Sequence, residues 1–567
     1  MKILLTAINS KYIHSNLAVR YLKAYTKDLN YDAVIKEFSI NELREKILEE
    51  IIAEKPDVVA FSTYIWNITY VEELSKLIKI IDHNIEILYG GPEVSYDACE
   101  FLKNCTGDYV IEGEGEEAYR EFIEYKLNLR ELNEIKGLYY KYSDSLEAYK
   151  INYNGRRPLM NMNNIIFPYE AQEVLDNKIV YYEASRGCPF NCKYCLSSTQ
   201  HGVRFLDIDR VKRELQFLID KKVRLIKFVD RTFNCNSKFA MTIWNFLIDQ
   251  RTDTVFHFEI SADILKKEEI ELLSRAPKGR FQFEVGVQTT NDEVLRNINR
   301  FVNFDDIKEK IEEMQRIKNI KQHLDLIAGL PGENFESFKK SFNDVHSIRP
   351  EEIQLGFLKL LKGSSMREEA KQWGMRYSPF PPYEILSTKD ISYFELLRLK
   401  KIEAMVDKYY NSQKFKNILA FFQDKFPSPF DFFEELSKFF YEKGYFHRSI
   451  SNSEYYKVFL DFNKEILKED NIALKEIVRY DYLQSNKRRG MPEFIFNTLN
   501  ENEERSIREY LKENFGKKSS QYYIEKFNID ILNFVKSKKI SAKVHYILSE
   551  VDEKEKSRDI TEELNIY

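Results

Sequence analysis

The sequence predicts an α/β protein in three parts: a parallel sheet, a partial (β/α) barrel and a mostly α-helical C-terminal domain. Short apolar runs alternate with helical patterns over residues 1–130, and the same alternation returns over residues 179–375. Such alternation is typical of parallel sheets whose strands are joined by helices. Residues 131–178 are irregular and are interpreted as a linker that contains a hairpin. Residues 376–567 show almost only helical periodicity and are rich in Phe and Tyr.

Length and composition exclude several classes of protein. A chain of 567 residues is too long for one hydrophobic core and indicates about three domains. With 86 basic and 91 acidic residues, the net charge of −5 gives no basic excess that would indicate nucleic acid binding. No apolar run is long enough to span a membrane. Six cysteines in 567 residues make no disulfide framework. The chain opens on an apparent strand and not on a signal peptide. We therefore expect a cytoplasmic protein.

Small or polar residues end the apolar runs of the first part. Open parallel sheets bind their ligands beyond the carboxyl ends of the strands, and glycine lets the backbone approach a ligand closely. The alternative is that these residues only make tight turns. The strand-end residues are Ser62, Thr63, Gly90, Gly91 and Gly113.

Six strand-like runs follow in the second part, with helical patterns between them. They read IVYYEAS, LIKFVD, FHFEIS, FQFEVGVQ, HLDLIAGLP and EIQLGFLKL. Six such units fit a full or partial TIM-type barrel, in which the active site lies at the carboxyl ends of the strands.

Three cysteines follow the first of these runs in the spacing C-x3-C-x2-C: Cys188, Cys192 and Cys195. Zinc sites usually show two separated pairs or accompanying histidines, and neither is present. Buried structural thiols rarely cluster in a polar turn. Thiolates also hold iron–sulfur clusters, normally four per cubane, so three would leave one iron open.

The triplet, with Tyr194 before its last cysteine, resembles the signature of radical SAM enzymes. The resemblance implies that Cys188, Cys192 and Cys195 hold a [4Fe–4S] cluster. It also implies that the open iron chelates the amino and carboxylate groups of S-adenosylmethionine (SAM). Transfer of one electron then cleaves SAM to methionine and a 5′-deoxyadenosyl radical. The protein must orient SAM and exclude water.

Later motifs extend this resemblance along the barrel. FHFEISAD is similar to a fourth-strand segment whose acidic residue, here Glu259, contacts SAM. FEVGVQTTNDEVLRNINR is similar to the stretch of the coproporphyrinogen dehydrogenase subgroup, in which Gln288 and Arg300 would hold the SAM carboxylate. An arginine fork suits a carboxylate.

DLIAGLPGE resembles a strand that binds the nucleoside of SAM. By this resemblance Asp325 binds the ribose hydroxyls, and Ile327 and Gly329 line the adenine. Each of these motifs is weak alone, but they occur in order after the cysteine triplet.

The glycine-glycine-glutamate motif that is common after the second strand is absent, and KFVDRTFNCN stands in its place. Asp230, Arg231 and Asn234 in this segment would lie where SAM or the substrate binds. Its form resembles cobalamin-dependent members, and Cys235 is interpreted as a bystander.

The order of the three parts resembles the cobalamin (B12)-binding radical SAM class. This class includes the anaerobic magnesium-protoporphyrin IX monomethyl ester cyclase and several methyltransferases. The resemblance implies a Rossmann-like cobalamin-binding domain, in which Ser62–Thr63 and Gly90–Gly91 contact the nucleotide tail of the corrin. GEGEE, which contains Gly113, matches another loop of the class. A bacterial group of unassigned substrate resembles this chain most closely and carries the same C-terminal domain.

One departure concerns the motif D-x-H-x-x-G, whose histidine replaces the lower axial base of cobalamin. The chain reads YIHSNL, so His14 is present without the Asp and the Gly. His14 therefore lacks the carboxylate that would fix its tautomer. Either His14 is a cobalt ligand, or it is a loop or interdomain residue; the domain could also bind no corrin.

The resemblance implies an oxygen-sensitive enzyme that transfers a methyl group to an unactivated carbon of a small molecule or peptide. A flavodoxin- or ferredoxin-type protein would donate the electron. One alternative is cobalamin-dependent oxidative cyclisation or rearrangement. Another is a cobalamin-free radical SAM enzyme that uses its first domain for recognition. The sequence does not identify the substrate.

The C-terminal domain offers one candidate, the basic cluster Lys487, Arg488 and Arg489 beside several aromatic residues. It either forms a wall of the substrate site or is a solvated loop. The aromatic residues of this domain at helical spacing indicate a core. We expect a helical cap that shields the barrel mouth.

Overall fold

The computed structural model describes residues 1–143, 149–199, 202–486, 491–515, 521–550 and 557–564. They form two compact units: one comprises residues 1–341 and 355–396, and the other residues 342–354 and 397–567. Among the described residues, no helix is both long enough and apolar enough to cross a membrane.

The first sheet has seven strands, in the spatial order β2-β1-β3-β4-β5-β6-β7. The first five strands in this order, which run from β2 through β1, β3 and β4 to β5, are parallel. The last two, β6 and β7, are antiparallel to their neighbours. The predicted parallel sheet is therefore confirmed. The strands are β1 (Lys2–Asn9), β2 (Asp32–Ser39), β3 (Val58–Ser62), β4 (Glu86–Gly90), β5 (Tyr109–Ile111), β6 (Leu138–Ser143) and β7 (Tyr149–Tyr153).

Helices cover both faces of this sheet. The central strands are apolar on both sides, as expected for a parallel sheet between two helical layers. The Asn16 side chain caps the first helix by accepting a hydrogen bond from the Val19 N–H. The helices are α1 (Leu17–Tyr25), α2 (Arg44–Ala53), α3 (Ile68–Ile81), α4 (Pro92–Ser95), α5 (Ala98–Asn104) and α6 (Glu116–Lys126).

The hairpin β6–β7 lies where the sequence predicted a linker. The hairpin is present, but it extends the first sheet because β6 pairs with β5 over Tyr109–Ile111. Its first strand carries three aromatic residues, and Tyr139 stacks on Tyr153 across the hairpin with ring centroids 4.1 Å apart. Such pairing across strands is a tertiary contact that local irregularity in the sequence does not reveal.

The second sheet contains the six predicted strands, in the order β15-β14-β13-β12-β11-β8, with β8 and β15 at its edges. A separate antiparallel hairpin, β9–β10, carries the first cysteine. FHFEIS is the third strand of this sheet and not the fourth, as the resemblance implied. The strands are β8 (Ile179–Tyr182), β9 (Ser185–Cys188), β10 (Gly202–Phe205), β11 (Leu225–Phe228), β12 (Val255–Ile260), β13 (Phe281–Gln288), β14 (Lys321–Ala328) and β15 (Glu352–Phe357).

Residues on the second sheet alternate between two environments. Phe228, Phe258 and Phe283 are fully buried in an aromatic cluster together with Trp244 of a covering helix. The alternate positions carry charged residues, which face the other side. The helices that accompany the strands are α7 (Ile208–Asp220), α8 (Ser237–Ile248), α9 (Lys267–Leu273), α10 (Asp292–Asn297), α11 (Phe304–Ile317) and α12 (Phe335–Ile348).

The rest of the chain is mostly helical, as predicted, but it also contains a three-stranded antiparallel sheet that sequence analysis missed. That sheet comprises β18, β19 and β20. The basic cluster Lys487, Arg488 and Arg489 lies outside the described residues. The elements are α13 (Ser365–Glu368), β16 (Arg376–Tyr377), β17 (Ile385–Ser387), α14 (Tyr393–Met405), α15 (Lys416–Phe422), α16 (Pro429–Glu442), α17 (Asn452–Glu465), α18 (Ile472–Ser485), α19 (Glu501–Phe515), β18 (Tyr522–Ile529), α20 (Ile531–Ser537), β19 (Ala542–Glu550) and β20 (Ser557–Asp559).

Candidate functional site

The cysteine loop begins at the end of β9. Cys192 is buried, and Cys188 and Cys195 are partly exposed. The Cys195 N–H donates to the Cys192 carbonyl at 3.1 Å, which makes a tight turn between them. Gly187 has a φ of +101°, and a Cβ at this position would lie 2.0 Å from the Gly202 carbonyl oxygen. Only glycine fits there, so the hairpin fixes the entry to the loop.

Backbone hydrogen bonds fasten this loop to neighbouring segments. The Lys193 N–H donates to the Ile298 carbonyl at 3.0 Å, and the Met366 N–H donates to the Lys193 carbonyl at 2.9 Å. The Asn299 side chain donates to the Asn191 carbonyl at 2.9 Å. Among the described residues, no three His, Cys, Asp or Glu side chains converge closely enough to hold a single metal ion.

Arg300 brings the predicted SAM residues to the cysteines. Its Nη1 lies 3.8 Å from the Cys192 Sγ, and its Nη2 donates to the Gly286 carbonyl at 2.6 Å. Gln288 follows a bulge in β13 with a φ of +71°, and a Cβ at Gly286 would lie 2.1 Å from the Gln288 Nε2. Burial raises the pKa of Tyr194, which interacts electrostatically with Arg300 and Cys192.

Three carboxylates point to the polar side of the second sheet. Burial would raise the pKa of Glu284, but His257 and Lys227, each 3.2 Å away, lower it to about 2. Burial raises the pKa of Glu259. Burial, together with the charges of Glu284 and Glu259, raises the pKa of Asp325 well above its usual range. The pKa values of Asp325 and Glu259 are thus shifted upward, and that of Glu284 is shifted downward.

Unpartnered buried atoms occur at three predicted SAM residues. The Gln288 Oε1, the Arg300 Nε and the Asp325 Oδ1 are buried without a hydrogen-bond partner among the described residues. Buried polar atoms are almost always satisfied, because leaving one unpaired costs about 1–3 kcal/mol. Two unpaired acceptors and one unpaired donor at these residues therefore fit a polar ligand. Gly329, with a φ of +86°, packs against Ile385, and Ile327 lies near Gly356.

The loop after β11 supports the cysteine hairpin. The buried Asp230 carboxylate accepts hydrogen bonds from the Ala184 N–H at 3.0 Å and the Ser185 hydroxyl at 2.5 Å, and burial raises its pKa to about 7. Asn234 exchanges two hydrogen bonds with the Ser261 backbone at 2.8 and 2.9 Å. Asp230 and Asn234 are therefore structural supports.

Arg231 in the same loop is exposed, and its guanidinium lies 4.0 Å from the Glu259 carboxylate. Cys235 is partly buried, and burial and the nearby Cys188 thiol raise its pKa to about 11. No described contact gives Cys235 a role.

A cavity of about 840 Å³ lies between the carboxyl ends of the two sheets. One side comes from the loops after β1, β3, β4 and β5 and the segment after β7, and the other from β8, the cysteine hairpin and the loop after β11. Its size is that of a site for a large ligand. Residues from the first side include Asn9, His14, Tyr64, Trp66, Gly91 and Gly113, and residues from the second include Tyr181, Glu183, Arg186, Gly187 and Arg231.

Two of the five predicted strand-end residues, Gly91 and Gly113, line this cavity. The other three do not. The Thr63 N–H and hydroxyl both donate to the Gly90 carbonyl, at 2.7 and 2.8 Å. The Ser62 hydroxyl accepts a hydrogen bond from the Asn16 side chain at 3.3 Å. These groups organise the sheet edge, and their contact with a corrin stays a prediction.

His14 is held by the second sheet. Residues around it form a short parallel bridge to Ile179 at the edge of β8, and the Ser15 hydroxyl donates to the Ile179 carbonyl at 2.9 Å. The His14 Nδ1 lies 2.7 Å from the Tyr181 hydroxyl. Burial, followed by nearby lysines, lowers the pKa of His14. His14 thus lines the cavity and contacts β8 of the second sheet, and its role as a cobalt ligand stays a prediction.

The two domains that line this cavity match known protein families. Residues 3–123 match the B12 binding domain, residues 182–345 match the radical SAM superfamily, and residues 371–563 match a protein family of unknown function, DUF4080. The chain joins a B12-binding domain to a radical SAM domain. The resemblance to the magnesium-protoporphyrin cyclase stays a prediction.

Two curated relatives match parts of this chain. An uncharacterized methyltransferase of Pyrococcus horikoshii is 31% identical over 242 residues, which are 40% of this chain and 51% of that protein. The cobalamin-dependent radical SAM methyltransferase TokK of Streptomyces tokunonensis is 23% identical over 364 residues, or 60% of this chain and 52% of TokK. The chain thus spans about half the length of the curated relatives it matches.

A solved structure shows the same fold. The radical SAM methyltransferase TsrM of Kitasatospora setae, determined with cobalamin and a [4Fe–4S] cluster, superposes with a TM-score of 0.55 at 15% identity. The superposition covers 68% of this chain and 79% of TsrM.

Sequence reasoning missed several cavity residues. Tyr64 and Trp66 stack with ring centroids 4.4 Å apart, and the Trp66 indole donates to the Ile8 carbonyl at 3.2 Å. Arg186, which precedes Cys188 by two residues, was not singled out. The R-G-C order was visible, but two of the carboxylates near this arginine, Glu114 and Glu116, are distant in sequence.

Proposed function

We propose that this protein is a cobalamin-dependent radical SAM methyltransferase that acts on an unactivated carbon. The observation that carries the proposal is the cavity between the carboxyl ends of the two sheets. On one side it meets the loops of the B12-binding domain, and on the other it meets the hairpin that carries the first cysteine.

The proposed cluster ligands are Cys188, Cys192 and Cys195. Their support is the C-x3-C-x2-C loop after β9, in which backbone hydrogen bonds of Lys193 to Ile298 and Met366 fasten the loop to neighbouring segments. Arg300 is a cation beside Cys192 and favours a thiolate there. Its attraction offsets part of the desolvation that raises the pKa of the Cys192 thiol.

The proposed SAM residues are Arg300 and Gln288 for the amino acid end, and Asp325, Ile327 and Gly329 for the nucleoside. The unpartnered Arg300 Nε and Gln288 Oε1 support this assignment, because a zwitterion offers both an acceptor and a donor. The unpartnered Asp325 Oδ1 suits a ribose hydroxyl. Glu259 and Tyr194 complete the proposed contacts.

For the corrin, we propose contacts from Gly91, Gly113 and the residues beside them. Gly91 lines the cavity, and its φ of +119° and its close approach to the Thr63 backbone require glycine at this turn. The stacked Tyr64 and Trp66 supply a flat apolar surface, which suits a planar macrocycle. Ser62, Thr63 and Gly90 would act on the nucleotide tail.

When bound, the cluster supplies the electron that cleaves SAM, and the corrin supplies a methyl carrier. The residues of this chain bind and orient these groups, and the buried surfaces around them exclude water. We further propose a small-molecule or peptide substrate, a flavodoxin- or ferredoxin-type electron donor and a cytoplasmic location, in keeping with unpaired thiols.

The proposal is tested with protein reconstituted without oxygen with iron, sulfide and hydroxocobalamin, then given SAM and a reductant. We expect 5′-deoxyadenosine and about one S-adenosylhomocysteine per bound corrin, because the methyl group of SAM must be transferred once before any substrate reacts. Cyclisation chemistry would give no S-adenosylhomocysteine. Replacing Cys188, Cys192 or Cys195 with Ala should abolish 5′-deoxyadenosine, while the matched variant Cys235→Ala should retain it. Normal turnover in any of the three would contradict the assignment.

A further inference from the structure

Two arginines face each other across the hairpin that carries the first cysteine. Arg186 of β9 and Arg204 of β10 are direct cross-strand partners. Like charges placed opposite each other on a hairpin repel and destabilise it. The Arg186 side chain is 14% exposed, so water screens this charge poorly. The pair therefore needs carboxylates to hold the hairpin in its observed form.

The loop after β5 supplies those carboxylates. The Glu114 Oε2 accepts a hydrogen bond from the Arg204 Nη1 at 3.1 Å, and its Oε1 lies 3.7 Å from the Arg186 Nη1. The Glu116 Oε1 accepts from the Arg186 Nη2 at 2.5 Å. Glu183 accepts from the Arg186 Nε at 2.9 Å. Both arginines are thus bound to GEGEE, a loop of the B12-binding domain.

The same loop contributes to the cavity wall. Gly113, Glu114 and Glu116 all line it, as does Arg186. The Gly113 N–H donates to the Ser95 hydroxyl at 3.2 Å, which ties the loop to α4. A large ligand in the cavity would therefore contact the loop at Gly113. In the same loop, the Glu114 and Glu116 side chains bind Arg186, which lies two residues before Cys188.

We propose that Glu114 and Glu116 act as positioning residues that couple corrin binding to the cluster-binding hairpin. This inference rests on the proposed function. The two glutamates and the two arginines form a latch, defined as Glu114, Glu116, Arg186 and Arg204. A bound cluster would fix the position of Cys188. The latch would transmit this constraint from the hairpin to Gly113, so the loop that contacts the corrin would be ordered before the corrin binds.

Linkage gives the proposal a measurable form. If the cluster orders the loop that the corrin contacts, cluster-loaded protein must bind corrin more tightly than cluster-free protein. Coupling between sites typically changes affinity by about 5- to 150-fold. Breaking the latch should remove this ratio. A merely structural role would weaken corrin binding equally in both forms and leave the ratio unchanged.

The experiment measures the Kd of hydroxocobalamin for the full chain with and without its reconstituted cluster, under anaerobic conditions. We expect at least about fivefold tighter binding to the cluster-loaded protein. Glu116→Gln keeps the side-chain shape but removes the charge, and its ratio should fall to within about twofold of one. If this variant does not incorporate the cluster, the ratio is measured on Glu114→Gln, whose expected result is the same.

Arg120→Gln is the matched control. Arg120 lies on α6 and binds Asp28 at 2.7 Å, so this variant breaks another arginine–carboxylate pair of the same domain. Its ratio should equal that of the wild type. Two results would overturn this inference but not the proposed function. One is that the cluster leaves the corrin affinity of the wild type unchanged; the other is that the glutamine variant shows the same affinity ratio as the wild type. Failure of the wild type to bind corrin in either form would overturn the proposed function as well.

Discussion

Arg300 spans the gap between the Cys192 thiol and the bulged strand β13. One guanidinium nitrogen lies 3.8 Å from the Cys192 Sγ, and another donates to the Gly286 carbonyl at 2.6 Å. The remaining nitrogen, Nε, is buried and has no hydrogen-bond partner in the part of the chain that the structure describes. Arg300 therefore links the cysteine loop to the predicted SAM residues and keeps one donor for a ligand.

Replacing Arg300 with Gln should weaken SAM binding by about 10- to 100-fold, the cost of one or two charge-assisted hydrogen bonds. Iron and sulfide per chain should stay unchanged, because Arg300 is not one of the proposed ligands of the cluster. Equilibrium binding of SAM to the reconstituted protein measures the effect. The control is Arg296→Gln, an exposed arginine of α10, which should bind SAM normally. Equal affinities in both variants would remove Arg300 from the SAM site.

Gly90 and Gly91 should differ sharply in their tolerance of a side chain. A Cβ at Gly91 would lie 2.4 Å from the Thr63 carbonyl oxygen, and the φ of +119° is unfavourable for any other residue. A Cβ at Gly90 meets its nearest atom only at 4.0 Å. Gly91→Ala should lower the free energy of unfolding by about 2 kcal/mol or more, and Gly90→Ala should have little effect.

Urea unfolding of the two variants checks this difference. A stable Gly91→Ala protein would contradict the observed packing of this turn. Because Gly90→Ala keeps the fold, any loss of corrin retention in it reports on the corrin site and not on folding.

Glu333 should make stability depend on pH. The side chain is buried, its Oε1 accepts a hydrogen bond from the Thr289 hydroxyl at 2.6 Å, and burial raises its pKa to about 8. The folded state therefore holds this proton more tightly than the unfolded state. This contribution to stability is full at low pH and is lost as the pH rises from about 4.5, the usual value for Glu, to about 8.

Glu333→Gln should flatten the decline in the urea midpoint between pH 5 and pH 8, because the amide has no proton to lose. Glu336→Gln, at an exposed position of the next helix, is the control and should leave the wild-type slope unchanged. Identical slopes in all three proteins would show that Glu333 does not hold its proton at neutral pH.

The sequence was most informative where function and fold depend on local pattern. All six strands of the second sheet were predicted because their apolar runs are bounded by helical periodicity. Gln288, Arg300 and Asp325 were predicted from motifs, and each carries a buried polar atom that has no hydrogen-bond partner among the described residues.

Features that depend on distant partners were not predictable. Strands β6 and β7 join the first sheet through β5, and β18 pairs with β19 across the segment that contains α20. Two of the three carboxylates around Arg186, Glu116 and Glu114, lie 70 and 72 positions away in the chain. Nothing in the local sequence of either segment indicates this contact.

The retention of corrin tests the central claim most directly. The protein is purified without oxygen, its cluster is reconstituted, excess hydroxocobalamin is added and removed, and the bound corrinoid is measured per chain. The account predicts close to one corrinoid per chain, with the iron and sulfide content unchanged. A chain with an intact cluster that retains no corrinoid would contradict it, and the first domain would then serve recognition in a cobalamin-free radical SAM enzyme.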